Sequence, residues 1–192
     1  LRNSSAASDV YKRQEPIGAL SGTVIDIKSA FAGTITTHTG TIEISDAHTT
    51  DITATDITTI NTSSTGTITI NNAIDINGSG SEVAAAFAAI DTNTGNATAN
   101  ITGTDNTVAQ LKARNNATTG TITLQTTNTA LTGDATDLKE ALAGITNYAG
   151  NVTITDTSYT VAELKAINST TTGTITLQNT GVALSGNSTD IS

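Results

Sequence analysis

Apolar and polar positions alternate in one short stretch that occurs three times along the chain. Thr118–Leu124 and Thr171–Leu177 both read Thr-Thr-Gly-Thr-Ile-Thr-Leu, and Ser64–Ile70 differs from them only at its first and last residues. Each copy places a Gly before a two-residue alternation. This pattern predicts a turn and then a strand whose Ile and Leu side chains are buried and whose Thr side chains face outward.

A second pattern has the spacing of a short helix. Asp137–Ile145 carries apolar residues at i, i+3, i+4 and i+7, Val83–Ile90 repeats that spacing, and Ile27–Phe31 begins it. Two further helices are predicted to start at capping boxes, Thr107–Gln110 and Thr160–Glu163, where Thr is followed three residues later by Gln or Glu. The chain therefore alternates short helices with turns and strands.

The two patterns recur with one period. The glycines of the three similar stretches, Gly66, Gly120 and Gly173, lie 54 and 53 residues apart. A fixed period of this size indicates a repeat array. We predict a repeat of about 53–56 residues made of two helix-turn-strand halves. The units are residues 20–75, 76–130 and 131–183, and residues 184–192 begin the next unit.

The predicted fold class is mainly β, a parallel β-solenoid with short helices over residues 17–192. Because the last residues open a further unit, we expect the array to be a fragment of a longer chain. Residues 1–16 share nothing with the repeats, and residues 4–14 resemble a translated library-adapter sequence of the kind that heads reading frames assembled from metagenomic DNA. We therefore predict that this leader is non-native or disordered and exclude it from the fold.

The units differ from one another in the middle of the array. Arg114 stands where the other two units have Ile60 and Ile167, and Ala97 and Ala99 stand where the third unit has Val and Ile. We expect the second unit to be thinner or locally irregular.

Composition limits the core and the class of partner. The 192 residues include 43 Thr, no Trp, Met or Cys, and only 3% aromatic residues, so the core must be thin and aliphatic. A net charge of −9 argues against nucleic acid as a partner, because phosphates require Lys and Arg. No apolar run reaches the length of a membrane span, and we expect no membrane insertion.

Outward Thr-x-Thr pairs are the first candidate site. They are Thr67 and Thr69, Thr121 and Thr123, and Thr174 and Thr176. Stacked rows of this kind would form an ice-binding plane. The competing interpretation is that Thr is β-branched and polar, and so suits an outer strand face without any further role.

Acidic turns and histidines are the other candidates. Asp46, Asp134 and Asp156 lie near predicted strand or helix ends and would be the ligands of calcium, which takes six to eight oxygens. The competing interpretation is helix capping. His38 and His48 flank one strand, and we interpret them as exposed loop residues rather than a metal pair. The repeats gather no catalytic residues, so we predict no enzyme activity, with a carbohydrate-active β-helix enzyme as a remote alternative.

Three segments carry a resemblance to a known class of protein. Thr160–Asn168, the Thr-Thr-Gly-Thr-Ile-Thr-Leu stretches and Ala183–Gly186 resemble the repeats of very large bacterial surface proteins, the adhesin-like "beta strand repeat" proteins found in cyanobacteria and other aquatic bacteria. The resemblance implies an extracellular or cell-surface stalk or adhesin. Its partners would be neighbouring repeats of the same chain, surface glycans or other cells, and it implies no catalytic residue or cofactor.

Overall fold

The structure, a computed structural model, describes residues 18–33 and 37–186. The predicted leader, residues 1–16, lies entirely outside these ranges, and with it the adapter-like residues 4–14. None of the helices within them has the length and hydrophobicity of a membrane span.

Six short helices occur at regular intervals in the described ranges. They are α1 (Val24–Phe31), α2 (Ala54–Thr62), α3 (Gly80–Ala89), α4 (Val108–Ala117), α5 (Ala135–Leu142) and α6 (Val161–Thr170). The predicted capping boxes at Thr107 and Thr160 are both present, because each Thr accepts from the third backbone N–H and the Gln or Glu side chain accepts from the Thr N–H. Ser79 and Glu82 form a third capping box at α3 that the sequence analysis did not identify.

In the same part of the chain, eleven strands of two to four residues connect the helices. They are β1 (Leu20–Gly22), β2 (Ile42–Ile44), β3 (Asp51–Thr53), β4 (Ile68–Ile70), β5 (Asp75–Gly78), β6 (Thr92–Asn93), β7 (Thr98–Ile101), β8 (Ile122–Leu124), β9 (Leu131–Gly133), β10 (Val152–Ile154) and β11 (Ile175–Leu177). They form three parallel sheets with the orders β1-β2-β4-β6, β3-β5-β7-β8 and β9-β10-β11. Parallel pairing requires a crossover between partners, and the helices provide it.

Strand pairing brings corresponding residues of consecutive half-units together. Ile122 of β8 pairs with Ala99 of β7, and Ile175 of β11 pairs with Val152 of β10. Each helix packs against the next helix along the chain. Consecutive half-units, each containing one helix, therefore stack on one another.

The core is a continuous aliphatic layer between helices and strands. Ile42, Ile44, Ile68 and Ile70 are fully buried on the inward faces of β2 and β4, while the alternate positions face outward. A few aromatic side chains, including Phe87 and Tyr148, complete the layer. The alternation predicted from the three similar stretches accounts for these inward faces.

The predicted fold class, a mainly β parallel β-solenoid, is wrong. The described residues form an α/β architecture with 33% helix and 23% strand, in which six helices alternate with strands of three parallel sheets. The physical reason is length. Each strand ends after two to four residues, whereas each helix continues for eight to ten residues from its N-terminal cap.

Candidate functional site: contacts between consecutive half-units

A hydroxyl-bearing residue and a Gly join each repeated turn to the half-unit before it. The Thr118 hydroxyl donates to the Ala97 carbonyl over 2.6 Å and accepts from the Gly120 N–H over 2.9 Å. The Ser64 hydroxyl likewise donates to the His38 carbonyl and accepts from the Gly66 N–H. The Thr171 hydroxyl donates to the Tyr148 carbonyl and accepts from the Gly173 N–H. One buried hydroxyl thus satisfies two backbone groups, which explains the residue two places before Gly in all three turns.

The Gly of each turn lies against the backbone of the previous half-unit. A Cβ on Gly120 would be 2.5 Å from the Ala97 carbonyl oxygen, and one on Gly173 would be 2.5 Å from the Gly150 carbonyl carbon. Both distances are far inside van der Waals contact, so these positions exclude any side chain. Gly is required here because two backbone segments of the chain approach closely, and not because of backbone conformation, since neither residue has a positive φ.

Aspartates from one half-unit cap the helix of the half-unit before it. Asp46 accepts from the Val24 N–H over 2.8 Å, Asp105 from the Gly80 N–H over 2.9 Å, and Asp156 from the Ala135 N–H over 3.3 Å. The three donors are the first residues of α1, α3 and α5. A carboxylate at this position satisfies a free N–H and interacts favourably with the helix dipole.

These caps show where the three calcium candidates lie. Asp46 and Asp156 bond to helix N-termini, and Asp134, which directly precedes α5, accepts from the Thr155 hydroxyl over 3.2 Å. The described residues nowhere bring three His, Asp or Glu side chains together as a metal site would need. Sequence reasoning placed these carboxylates near strand or helix ends. It did not identify the helices that Asp46 and Asp156 cap, because each of those helices belongs to the preceding half-unit.

Arg114 lies at the centre of a polar cluster inside the second unit. Its side chain is fully buried, with Nε donating to the Gln110 carbonyl over 2.9 Å and Nη2 to Asn106 Oδ1 over 3.1 Å. Nη1 reaches the Gly80 carbonyl over 3.4 Å. The Arg114 cluster, defined as Asp105, Asn106 and Arg114, thereby contacts the first residue of α3.

Two buried positions vary together in the three units. The first directly precedes the N-cap Thr, and the second lies eight residues later in the helix. The pairs are Ile52 with Ile60, Asn106 with Arg114, and Tyr159 with Ile167. The expected irregularity at Arg114 is thus a polar pair in place of an apolar one, and Asn106 is the functional partner that the sequence analysis missed.

Asp105 and Arg114 are both ionised at neutral pH. Burial lowers the pKa of Arg114 to about 10, an effect that the Asp105 charge opposes, so the guanidinium remains protonated at neutral pH. The Ser81 hydroxyl and the Ser81 and Gly80 N–H groups lower the pKa of Asp105 to about 2. Asp105 therefore holds α3 as a carboxylate at any pH above that value.

We expect the Asp105 carboxyl to titrate with a pKa of about 2 in the folded chain. Because the folded pKa lies below the ordinary value, the stability that this carboxylate contributes is present above pH 4 and is lost as pH falls towards 2. Carbon-13 NMR titration of the carboxyl measures this directly. Ser81→Ala removes the principal donor and should raise the pKa, and a wild-type titration near pH 4 would contradict the assignment.

Ion pairs between neighbouring helices lie nearer the surface. Lys112 of α4 bonds Asp137 over 2.5 Å and Glu140 over 2.8 Å on α5, and Lys28 of α1 bonds Asp56 of α2. Solvent screens such partly exposed pairs, so each contributes little to stability. They reinforce the stacking order of the helices but do not determine it.

The three Thr-x-Thr pairs do not lie in one sheet. Thr67 and Thr69 belong to the β4 segment, Thr121 and Thr123 to β8, and Thr174 and Thr176 to β11, and these strands lie in three different sheets. Five of the six are exposed, and Thr69 is half-buried. The structure therefore brings outward threonines together only with their neighbours within each sheet, as in the register of Thr132, Thr153 and Thr176.

The two histidines have different environments. His48 is exposed, as expected, but His38 is only 1% exposed and its ring lies 5.9 Å from that of Phe31. Its ring nitrogens have no hydrogen-bond partner among the described residues. His38 occupies the position that Tyr148 occupies in the third unit, since each pairs with the first residue of the following turn.

Comparison with known proteins does not assign the chain to a family. No protein-family model matches it, and neither a curated protein nor a solved structure is significantly similar to it.

Proposed function

We propose that this chain is a structural or adhesive repeat module, of stalk or adhesin type, from an extracellular or cell-surface bacterial protein. One observation carries the proposal. The strand pairs, the turn hydrogen bonds and the Asp caps all join consecutive half-units. Contacts restricted to neighbours are typical of repeat proteins that provide length and surface rather than a closed active site.

The surroundings of the polar groups support the same proposal. Asp46 and Asp156 are bonded to helix N-termini and Asp137 to Lys112. The buried Arg114 is bonded to Asn106 within its own cluster. These groups hold half-units together. The assignment to a surface protein is supported by the resemblance of the repeated stretches described above.

Pulling on the two ends of a single molecule tests the structural part of the proposal. We expect the chain to unfold in steps of one half-unit, each releasing about 90 Å of chain for roughly 27 residues. Gly120→Ala should weaken the step at the second unit and leave the others unchanged. One event that releases the whole described array at once would contradict a module stabilised by neighbour contacts.

A binding assay tests the adhesive part. Beads coated with the chain should retain bacterial cells or immobilised polysaccharides better than beads coated with the heat-unfolded chain. Release of soluble sugars from the polysaccharide would instead favour the enzyme alternative. Thermal hysteresis that is lost when Thr121, Thr123, Thr174 and Thr176 are replaced together would favour ice binding.

A further inference from the structure

The Arg114 cluster meets a matching surface at the start of α3. Asp105 accepts from the N–H groups of Gly80 and Ser81 and from the Ser81 hydroxyl over 2.8–3.0 Å. Gly80 has no side chain, and a Cβ there would lie 2.7 Å from Asn106 Oδ1. The first two residues of α3 therefore form a slot that fits the cluster.

The other helices at corresponding positions do not offer this slot. The first two residues of α1 are Val24 and Ile25, and those of α5 are Ala135 and Thr136. A Cβ at either first position would meet the Asn106 side chain. Ile25 also lacks the hydroxyl that Asp105 uses.

The repeated stretches do not by themselves determine which half-units stack on one another. The three turn stretches are nearly identical, so backbone pairing and aliphatic packing alone do not distinguish one unit from another. Repeat proteins of this kind misassemble by pairing with the wrong copy or by exchanging segments between molecules. A buried polar contact with one acceptable partner is a known device for fixing register.

We propose that the Arg114 cluster and the Gly80–Ser81 slot fix the order of stacking. They make α3, and no other helix, the preceding neighbour of α4 in the stack. The Ile52–Ile60 pair of the first unit packs against any aliphatic neighbour, and in the third unit Tyr159 donates to the Asn179 carbonyl of the half-unit that follows it. In the second unit the corresponding pair fits the start of α3. Placed elsewhere, the Asp105 carboxylate would lose its bonds to Gly80 and Ser81. Arg114 would lose its bond to the Gly80 carbonyl, which has no replacement within the cluster.

Refolding as a function of concentration tests this role. The double variant Asn106→Ile/Arg114→Ile copies the first unit's pair. It should remain folded but lose monomer yield on refolding at micromolar to millimolar concentrations, with exchanged dimers appearing in size-exclusion chromatography with light scattering. Tyr159→Ile is the control, because it creates an Ile pair in the third unit without touching the cluster. It also removes the bond from the Tyr159 hydroxyl to the Asn179 carbonyl, so its stability should fall, but its refolded protein should remain monomeric like the wild type.

A second variant duplicates the slot while leaving the cluster intact. Ala135→Gly/Thr136→Ser gives α5 the first two residues of α3, and it should also produce exchanged dimers. A wild-type refolding yield in the first variant, or only monomer in the second, would overturn the proposal. So would a first variant that is unfolded even at its lowest concentration, since the cluster would then be required for stability rather than for neighbour choice.

Discussion

Replacing Gly120 with Ala should destabilise the chain by about 3 kcal/mol or more, because the added methyl group overlaps backbone atoms. The new Cβ would lie 2.5 Å from the Ala97 carbonyl oxygen and 2.9 Å from its carbon. These atoms belong to the backbone of the adjacent half-unit and are held by the Thr118 hydroxyl. They cannot move away without breaking that bond.

Gly181→Ala is the matched control, because no atom lies within 4 Å of the position that its Cβ would take. Its free energy of unfolding should be equal to or slightly above that of wild type, since Ala reduces the freedom of the unfolded chain. Urea unfolding followed by circular dichroism measures both variants. Equal midpoints for Gly120→Ala and Gly181→Ala would show that the half-units are not in the close contact described here.

The second large effect is expected at Asn106. Asn106→Ile alone should cost about 3–5 kcal/mol, because it removes the Nη2 partner and leaves the buried charge of Arg114 incompletely bonded. The double variant Asn106→Ile/Arg114→Ile should be as stable as wild type or up to about 4 kcal/mol more stable. The first unit shows the same pair of positions filled by Ile52 and Ile60, both buried.

A double-mutant cycle with Arg114→Ile completes this measurement. That single variant leaves the Asn106 side-chain oxygen without its buried donor and should cost about 1–3 kcal/mol. The two single losses should therefore not add. If the double variant lost the sum of both, Asn106 and Arg114 would be independent residues, and their joint variation among the units would have no energetic basis.

Much of the local structure could be predicted because its causes lie within a few residues. The capping boxes at Thr107 and Thr160 need only residues three apart, and the buried faces of β4 and β8 follow from two-residue alternation. The relative amounts of helix and strand could not be predicted from such local signals. The Thr-rich stretches are conspicuous in the sequence, yet each forms a strand of only three residues.

The contacts between half-units were out of reach for a different reason. Asp46 and Asp156 cap helices that start 22 and 21 residues earlier in the chain. The local sequence around each Asp does not indicate which helix it caps. Arg114 was visible as an exception to an aliphatic position, but its bond to Asn106 depends on the turn that precedes α4. The sequence also could not predict which sheet each Thr-x-Thr pair belongs to, because that depends on which strands pair.

The aspartate caps also have a consequence for the order in which the polypeptide acquires its structure during synthesis. The N-terminus of α1, α3 or α5 is completed by a carboxylate that leaves the ribosome 21–25 residues later. At about 5–20 residues per second, that delay is a few seconds at most. We therefore expect these helices to be completed in order from the N-terminus, each one when the segment that carries its capping carboxylate has emerged.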